Sequence, residues 1–312
     1  MKILFTGASS FTGYWFVKFL SNKGNEVYAT FTKDSSKEYE GIIHKRVEKV
    51  TEFCNPVWNC KFGSEKFLDV INQVSFDVIC HHAADVKNYK NPKFDFASAL
   101  KNNTYNIRDV FEVLNKTHCK SIILTGSVFE QNEGCGTKSL RAFSPYGLSK
   151  GLTSEVFKHF SEIYKIKLGK FVISNPFGPF EEPRFTTYLI KNWIQEKIPV
   201  VNTPKYIRDN IHVSLLSKVY SYFIERVYNE SKFFQKINPS GYVESQASFT
   251  KRFSNEIRKR TNLKCEYKLN DQTYFPEPEI RINTDMAKNL CEDWDEEKAW
   301  DELVEFYNQI YF

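Results

Sequence analysis

Through the first 175 residues, short apolar runs of strand type alternate with segments of helical spacing. This alternation constrains the fold more than any other feature. KILFT (2–6), EVYAT (26–30), FDVICHHA (76–83), SIILTG (121–126) and KFVISN (170–175) read as buried strands. Between them, residues 14–24, 64–73, 102–116 and 149–165 repeat their apolar side chains at helical spacing. Such an order builds a parallel sheet covered on both faces, because each parallel crossover needs a helix to carry the chain back. Right-handed crossovers then make a doubly wound α/β fold, with ligands at the carboxyl ends of the strands. After residue 175 the pattern changes. NPFGPFEEPRF (175–185) holds three of the eleven prolines and reads as an ordered loop, followed by short, aromatic-rich elements. The chain is expected to divide into residues 1–175 and a smaller C-terminal lobe, 176–312, with some chain crossing back.

The stretch LFTGASSFTG (4–13) sits between the first strand and the first helix. Gly7 and Gly13 stand where a dinucleotide-binding turn needs them, for a tight exit from the strand and for close helix packing. Ser10 takes the middle position, where a small residue lets the backbone approach a pyrophosphate. The free N–H groups and positive end of the following helix would face that anion. Strand before and helix after make this a phosphate site, formed by Gly7, Ser9, Ser10, Phe11, Thr12 and Gly13. Residues 1–175 are therefore expected to bind a dinucleotide.

Bulk properties exclude several other classes. Hydrophobic residues make up 41% and charged residues 26%, and the net charge is +5. That mild positive balance suits an anionic small molecule. The densest basic segment, KRFSNEIRKR (251–260), reads as one solvated helix face, and no nucleic-acid-binding motif accompanies it. No apolar run spans a bilayer, so no membrane contact is expected. Seven cysteines without a CxxC pair argue for free thiols and against a structural metal site. With no signal-peptide pattern at MKILFTG, a cytoplasmic protein is expected.

SPYGLSK (144–150) holds a Tyr-x-x-x-Lys pair, Tyr146 and Lys150, on one helical face. A tyrosine with a pKa near ~10 needs an ammonium beside it to work as acid or base near neutral pH. The pattern recurs at 14/18, 89/93 and 228/232. Only the 146/150 pair follows shortly on a strand ending in a hydroxyl residue, Thr125 in LTGSVFE (124–130). Ser127 is the alternative bearer of that hydroxyl.

Taken in order, these segments resemble an extended short-chain dehydrogenase/reductase of the NAD-dependent epimerase/dehydratase type, which acts on nucleotide-diphosphate sugars. The resemblance covers nearly the whole chain. TGASSFTG resembles the family's TGxxGxxG, FDVICHHAA (76–84) its DxVxHxAA, and NNTYNI (102–107) its NNVxGT. LTGSVF resembles Ser/Thr-x-x-V-Tyr, SPYGLSK the catalytic helix, VISNPFGP (172–179) RxxNPxGP, and YIRDNIHV (206–213) the RD-aromatic-IHV segment. The resemblance implies a Rossmann-like sheet domain and a substrate-binding C-terminal lobe. It makes Tyr146 the acid/base, and Lys150 the group that lowers its pKa and holds the cofactor ribose. Thr125 would bond the reacting sugar oxygen, with Ser127 also near the substrate. His82, Ala83 and Ala84 would border the nicotinamide ribose, and Asn103 would lie near the proton relay. Asn175 and Arg208 would hold the substrate diphosphate, and pairing of the helices at 102–116 and 149–165 would make a homodimer. Apart from the lining role of His82, the histidines 81, 82 and 212 are expected to be packed or backbone-bonded rather than catalytic. No metal is expected.

Departures from the pattern narrow the activity. Gly126 and Ser127 stand where dehydratases carry Asp-Glu, so dehydration is not expected. NAD-specific members place an acid after the second strand, where this chain has Phe31, followed by Thr32 and Lys33. Those two residues can offer a hydroxyl and a cation to a 2′-phosphate, so NADP is expected, with NAD as the alternative. Asn59 or Cys60 replaces an adenine-flanking Asp. Tyr274 and Phe275 stand near where a second diphosphate-binding arginine would lie. The expected function is 4-keto-sugar reduction, with nucleotide-sugar C4 epimerisation as the alternative. A non-catalytic dinucleotide sensor is a more distant third.

Overall fold

The computed structural model describes residues 1–117 and 119–311, so Phe312, the last residue of the expected second lobe, lies outside the described residues. The chain forms two compact units. The first comprises residues 1–133, 140–173 and 217–238; the second comprises 134–139, 174–216 and 239–312.

The first unit is built on a sheet of seven strands. From edge to edge they run Phe234–Ile237, Lys167–Ile173, Ser121–Ser127, Val78–His81, Lys2–Thr6, Glu26–Thr30 and Asn55–Val57. All neighbours are parallel. Strand order reverses between Lys2–Thr6 and Val78–His81, and this is the switch point at which such sheets bind ligands. The Rossmann-like doubly wound sheet expected from the sequence is present. Its central strands Val78–His81 and Ser121–Ser127 are buried at every position, as cover on both faces demands.

Several expectations are corrected by the structure. Asn55–Val57 and Phe234–Ile237 are additional edge strands, too short and too polar to carry a period. The helix Gly41–Val50 is a further element beyond those the sequence pattern marks. The helix expected at 102–116 is two helices, Phe96–Asn103 and Ile107–Lys116. Asn106 breaks the run with φ 47°, and its side chain donates to the carbonyl of Gly63. Asn175–Phe177, read as loop, is a strand paired with Asn210–His212. The helices at 102–116 and 149–165, expected to pair in a homodimer, spend part of their apolar surface on the core. Val110, Phe111, Leu114 and Phe157 are buried under the sheet, whereas Val113, Val156 and Phe160 are only partly covered.

The second unit packs helices Phe185–Ile194, Gln246–Arg260 and Glu296–Tyr311 around an aromatic core that includes Phe177, Trp193, Phe253 and Trp300. The basic segment at 251–260 lies on the second of these helices. Phe253 and Ile257 point into the core, while Arg252 pairs with Glu244 and Arg260 with Glu256. No helix among the described residues is long and apolar enough to cross a membrane.

Candidate active site

Sheet register brings the first unit's strand ends into one row. Thr6 is paired with His81, His81 with Leu124, and Leu124 with Lys170. The residues one step further along, Gly7, His82 and Thr125, therefore lie side by side at the carboxyl edge.

At Gly7 the backbone adopts φ 83°, and an added Cβ would lie 2.8 Å from the nitrogen of Ala83. At Gly13 an added Cβ would lie 2.2 Å from the carbonyl oxygen of Gly7. Both glycines are thus required by close approach of backbone to backbone. Ser10 caps the helix Phe11–Asn22: its Oγ accepts from Gly13 N at 3.1 Å and donates to the Gly7 carbonyl at 2.8 Å. The first turn of this helix carries no acidic side chain, so its N-terminal field is not cancelled. This cradle fits a pyrophosphate. Ser9, Phe11 and Thr12 belong to the same turn, and the buried Arg46 donates from Nε to the Ser9 carbonyl at 3.0 Å. Arg46 went unrecognised in the sequence because nothing local ties it to a turn 37 residues earlier.

Beside the turn, Thr6 Oγ1 accepts from the main-chain nitrogens of His82 and Ala83 at 3.2 and 3.0 Å, which fixes the exit of the Val78–His81 strand. Asn103 is buried. Its side-chain oxygen accepts from Asp85 N, its amide donates to Thr153 Oγ1, and its carbonyl accepts from His81 Nε2. Asn103 therefore braces the segment around Ala83 and Ala84. His81 is packed, as expected, and burial pushes its pKa down to about 3. His82 is bonded through both ring nitrogens, to Ser10 and Thr12 on one side and Thr125 on the other.

Tyr146 and Lys150 lie on the helix Pro145–Tyr164, which begins at a Ser144 cap with proline in its first turn. The Tyr146 ring packs between Tyr89 and Phe94, with centroids 5.2 and 6.0 Å away. Lys150 is buried and donates from Nζ to the Thr125 carbonyl at 2.5 Å. Burial lowers its pKa to about 8; Glu130 pulls the value upward and Lys170 pushes it further down.

The absence of the dehydratase Asp-Glu has a structural counterpart. Glu130 Oε1 accepts from Ser127 N at 2.7 Å, and its other oxygen pairs with Lys170 at 2.7 Å. An added Cβ at Gly126 would lie 2.9 Å from Lys170 Cε and 3.0 Å from Glu130 Oε1. A buried ion cluster thus occupies the space behind Gly126. Burial disfavours charge on Lys170, but Glu130 and Glu133 outweigh it and raise its pKa. Ser127 itself turns its Oγ to Phe129 N at 3.2 Å. A cavity of about 270 Å³ lies beside this ion cluster, among Gln131, Glu133, Lys158, Lys170 and Lys236, and none of the candidate catalytic side chains lines it.

Phe31 is buried and stacks on Trp58, with centroids 4.6 Å apart and planes at 29°, while Thr32 and Lys33 are exposed. Asn59 is also exposed, with φ 47°, and Cys60 is buried.

Asn175 and Arg208 belong to the second unit, where Asn210 is opposite Asn175 in register. The Arg208 guanidinium donates to the carbonyls of Ile207, Pro278 and Glu279, pairs with Glu277 at 2.9 Å and lies 4.3 Å over the Tyr206 ring. Its neighbour Asp209 is structural, accepting from Gly241 N and Asn283 N, and burial raises its pKa to about 6. No group of His, Cys, Asp and Glu among the described residues is arranged to hold a metal ion.

The model of the NAD dependent epimerase/dehydratase family matches residues 3–234. No curated protein matches the sequence. Among solved structures, the chain is similar to a UDP-glucose 4-epimerase from Thermotoga maritima with UDP-glucose, at 16% identity over 99% of both chains and a TM-score of 0.72. It is also similar to a UDP-glucuronic acid 4-epimerase from Bacillus cereus in complex with UDP-glucuronic acid and NAD, at 16% identity over the whole of both chains and a TM-score of 0.75. A third likeness is to a UDP-N-acetylglucosamine 4-epimerase from Methanobrevibacter ruminantium, at 16% identity over 99% of this chain and 98% of that one, with a TM-score of 0.74. At such identity the likeness is one of fold.

Proposed function

The chain belongs to the NAD dependent epimerase/dehydratase family, and from that premise we propose that it exchanges hydride at C4 of a nucleotide-diphosphate sugar. The observation that carries the reading is the register row. It sets Thr125, bonded through its carbonyl to Lys150, beside the cradle of Gly7, Ser10 and Gly13.

Gly7, Ser9, Ser10, Phe11, Thr12 and Gly13 would hold the dinucleotide pyrophosphate. Thr32 and Lys33 would meet the adenosine ribose, while His82, Ala83, Ala84 and Lys150 would border the nicotinamide end. When bound, the nicotinamide dinucleotide supplies hydride exchange. Tyr146 moves the proton on the sugar oxygen, and the Lys150 ammonium favours the phenolate. Thr125 bonds the same oxygen. Asn175 and Arg208 serve the diphosphate, for which Arg208 must exchange its exposed partner Glu277 for phosphate oxygens.

At the strand-end position the buried Phe31 offers no carboxylate to hold an adenosine ribose or to repel a 2′-phosphate, and exposed Lys33 offers a cation. This supports NADP and, with it, net reduction of a 4-keto sugar, since an epimerase regenerates its cofactor in every cycle. The second reading is C4 epimerisation, which the same residues can perform and which the similar solved proteins are named for. The half-covered Val113, Val156 and Phe160, together with Ile163 at 54% exposed, support a homodimer through these helices.

A nucleotide-sugar panel that includes 4-keto-6-deoxy forms tests the proposal. Stoichiometric NADPH loss with a 4-keto sugar supports reduction, and isomerisation without net consumption supports the epimerase. Tight cofactor binding with no turnover on any member would overturn both in favour of a dinucleotide sensor.

A further inference from the structure

His82 links the phosphate turn to the candidate catalytic hydroxyl. Its Nδ1 lies 2.9 Å from Thr125 Oγ1, and its Nε2 lies 3.1 Å from Ser10 Oγ and 3.0 Å from Thr12 Oγ1. The ring is held by packing as well. Phe5 and Phe16 lie against it at 5.6 and 5.2 Å, and Phe16 stacks on Tyr220 at 4.0 Å with planes 5° apart. Close packing, followed by the Lys150 ammonium and His81, holds its pKa below the usual imidazole range, so the ring is neutral. A neutral imidazole has one donor and one acceptor.

The hydrogen bonds around Ser10 decide which nitrogen is which. The Ser10 hydroxyl gives its single proton to the Gly7 carbonyl at 2.8 Å, while its oxygen takes the N–H of Gly13. Toward His82 it can therefore only accept, which puts the ring proton on Nε2, shared between Ser10 and Thr12. Nδ1 is then bare, and the Thr125 hydroxyl must donate to it. Neighbouring His81 follows the same logic. Its Nε2 faces the Asn103 carbonyl, which only accepts, so its Nδ1 takes the proton of Thr6 Oγ1 at 3.1 Å.

We propose that His82 is a positioning residue that holds the Thr125 hydroxyl proton, so that Thr125 meets the reacting oxygen of a sugar only as an acceptor. The consequence for recognition rests on the function proposed above. Thr125 can bond a sugar hydroxyl but has no proton for a carbonyl oxygen, and Tyr146 is left to supply that proton. The hydroxyl that receives it then donates to Thr125. No atom is lost in this arrangement, because His82 keeps its proton throughout.

Nitrogen NMR of the full chain labelled at histidine, with His82 assigned by His82→Gln, tests the tautomer without any ligand. The expected spectrum has a protonated Nε2 and a bare Nδ1 at His82. The Nδ1 resonance should move in Thr125→Val and return in Thr125→Ser. A proton on Nδ1, or an Nδ1 indifferent to Thr125→Val, overturns the proposal. On whichever nucleotide sugar the panel turns over, His82→Phe should lower kcat about tenfold, the size of one hydrogen bond, with KM little changed. An unchanged kcat overturns the positioning role. Failure to turn over any sugar counts against the proposed function alone, and the spectrum still judges His82.

Discussion

Lys150 places its ammonium 2.5 Å from the main-chain oxygen of Thr125, so the helix carrying Tyr146 is tied to the end of a central strand. The contact joins residues 25 apart in sequence, and it uses the carbonyl of Thr125 while leaving its hydroxyl for His82. A buried lysine at this point costs desolvation, which is why its pKa falls to about 8. The cation is nonetheless what a tyrosine acid/base requires.

Tyr146→Phe keeps the ring between Tyr89 and Phe94 and removes only the transferable proton. Turnover should fall by about 10²-fold or more while dinucleotide still binds, since general acid–base groups contribute on that scale. Lys150→Met should reduce both turnover and cofactor affinity. Steady-state rates beside a fluorescence titration with NADPH check this, and near-normal turnover of Tyr146→Phe would displace it from the chemistry.

The second prediction concerns the cofactor. Calorimetry should find NADPH bound more tightly than NADH. Lys33→Ala should weaken NADPH by roughly 1–3 kcal/mol, the range of a charge-assisted hydrogen bond, and leave NADH unchanged. Equal losses for both dinucleotides would mean that Lys33 does not touch a 2′-phosphate.

A pH effect on stability is expected from Glu181 in the second unit. Its side chain accepts from Thr186 Oγ1 at 2.8 Å, and burial raises its pKa from 4.5 to about 7, against the pull of Arg184. Because the folded value exceeds the unfolded one, the folded chain holds more protons between these limits. This contribution is therefore full below pH 4.5 and is lost as pH rises through 7. The loss amounts to about 3 kcal/mol at most. Glu181→Gln keeps the shape and removes the titration, so its urea-unfolding stability should decline less over that interval. Parallel curves for the two proteins would refute the assignment.

The proposed homodimer can be tested with a surface charge. Ile163, 54% exposed on the helix Pro145–Tyr164, should lie in the interface. Ile163→Glu should halve the sedimentation mass at micromolar concentration without changing the far-UV spectrum. A wild-type chain that sediments as one subunit would remove the basis for this prediction.

Much of the site was readable before the structure, for local reasons. Gly7, Ser10 and Gly13 are close in sequence and shape one turn, and Tyr146 and Lys150 share a helix face at fixed spacing. Thr125 was tied to that helix by its place at the end of the strand before it, and its substrate role came only from the resemblance. Arg46, Glu130 and Lys170 gave no such signal. Each acts on residues reached through sheet pairing or helix packing, and a buried arginine or lysine looks like any surface charge when read in line. Asn106 shows the limit for helices: its apolar neighbours keep their period on either side, while one left-handed residue splits the segment.

The sequence by itself determined the parallel sheet, the tight glycine turn and the Tyr-x-x-x-Lys helix, because hydrophobic period, glycine tolerance and helical spacing act within a few residues. The tertiary structure alone decided which side chains share a proton. His82 reaches Thr125 across 43 residues and Ser10 across 72. Both contacts exist because Val78–His81 pairs with Ser121–Ser127 on one side and with Lys2–Thr6 on the other. Hydrogen bonds reward separations of about 3 Å and defined directions, and only the paired strands bring these groups to that distance.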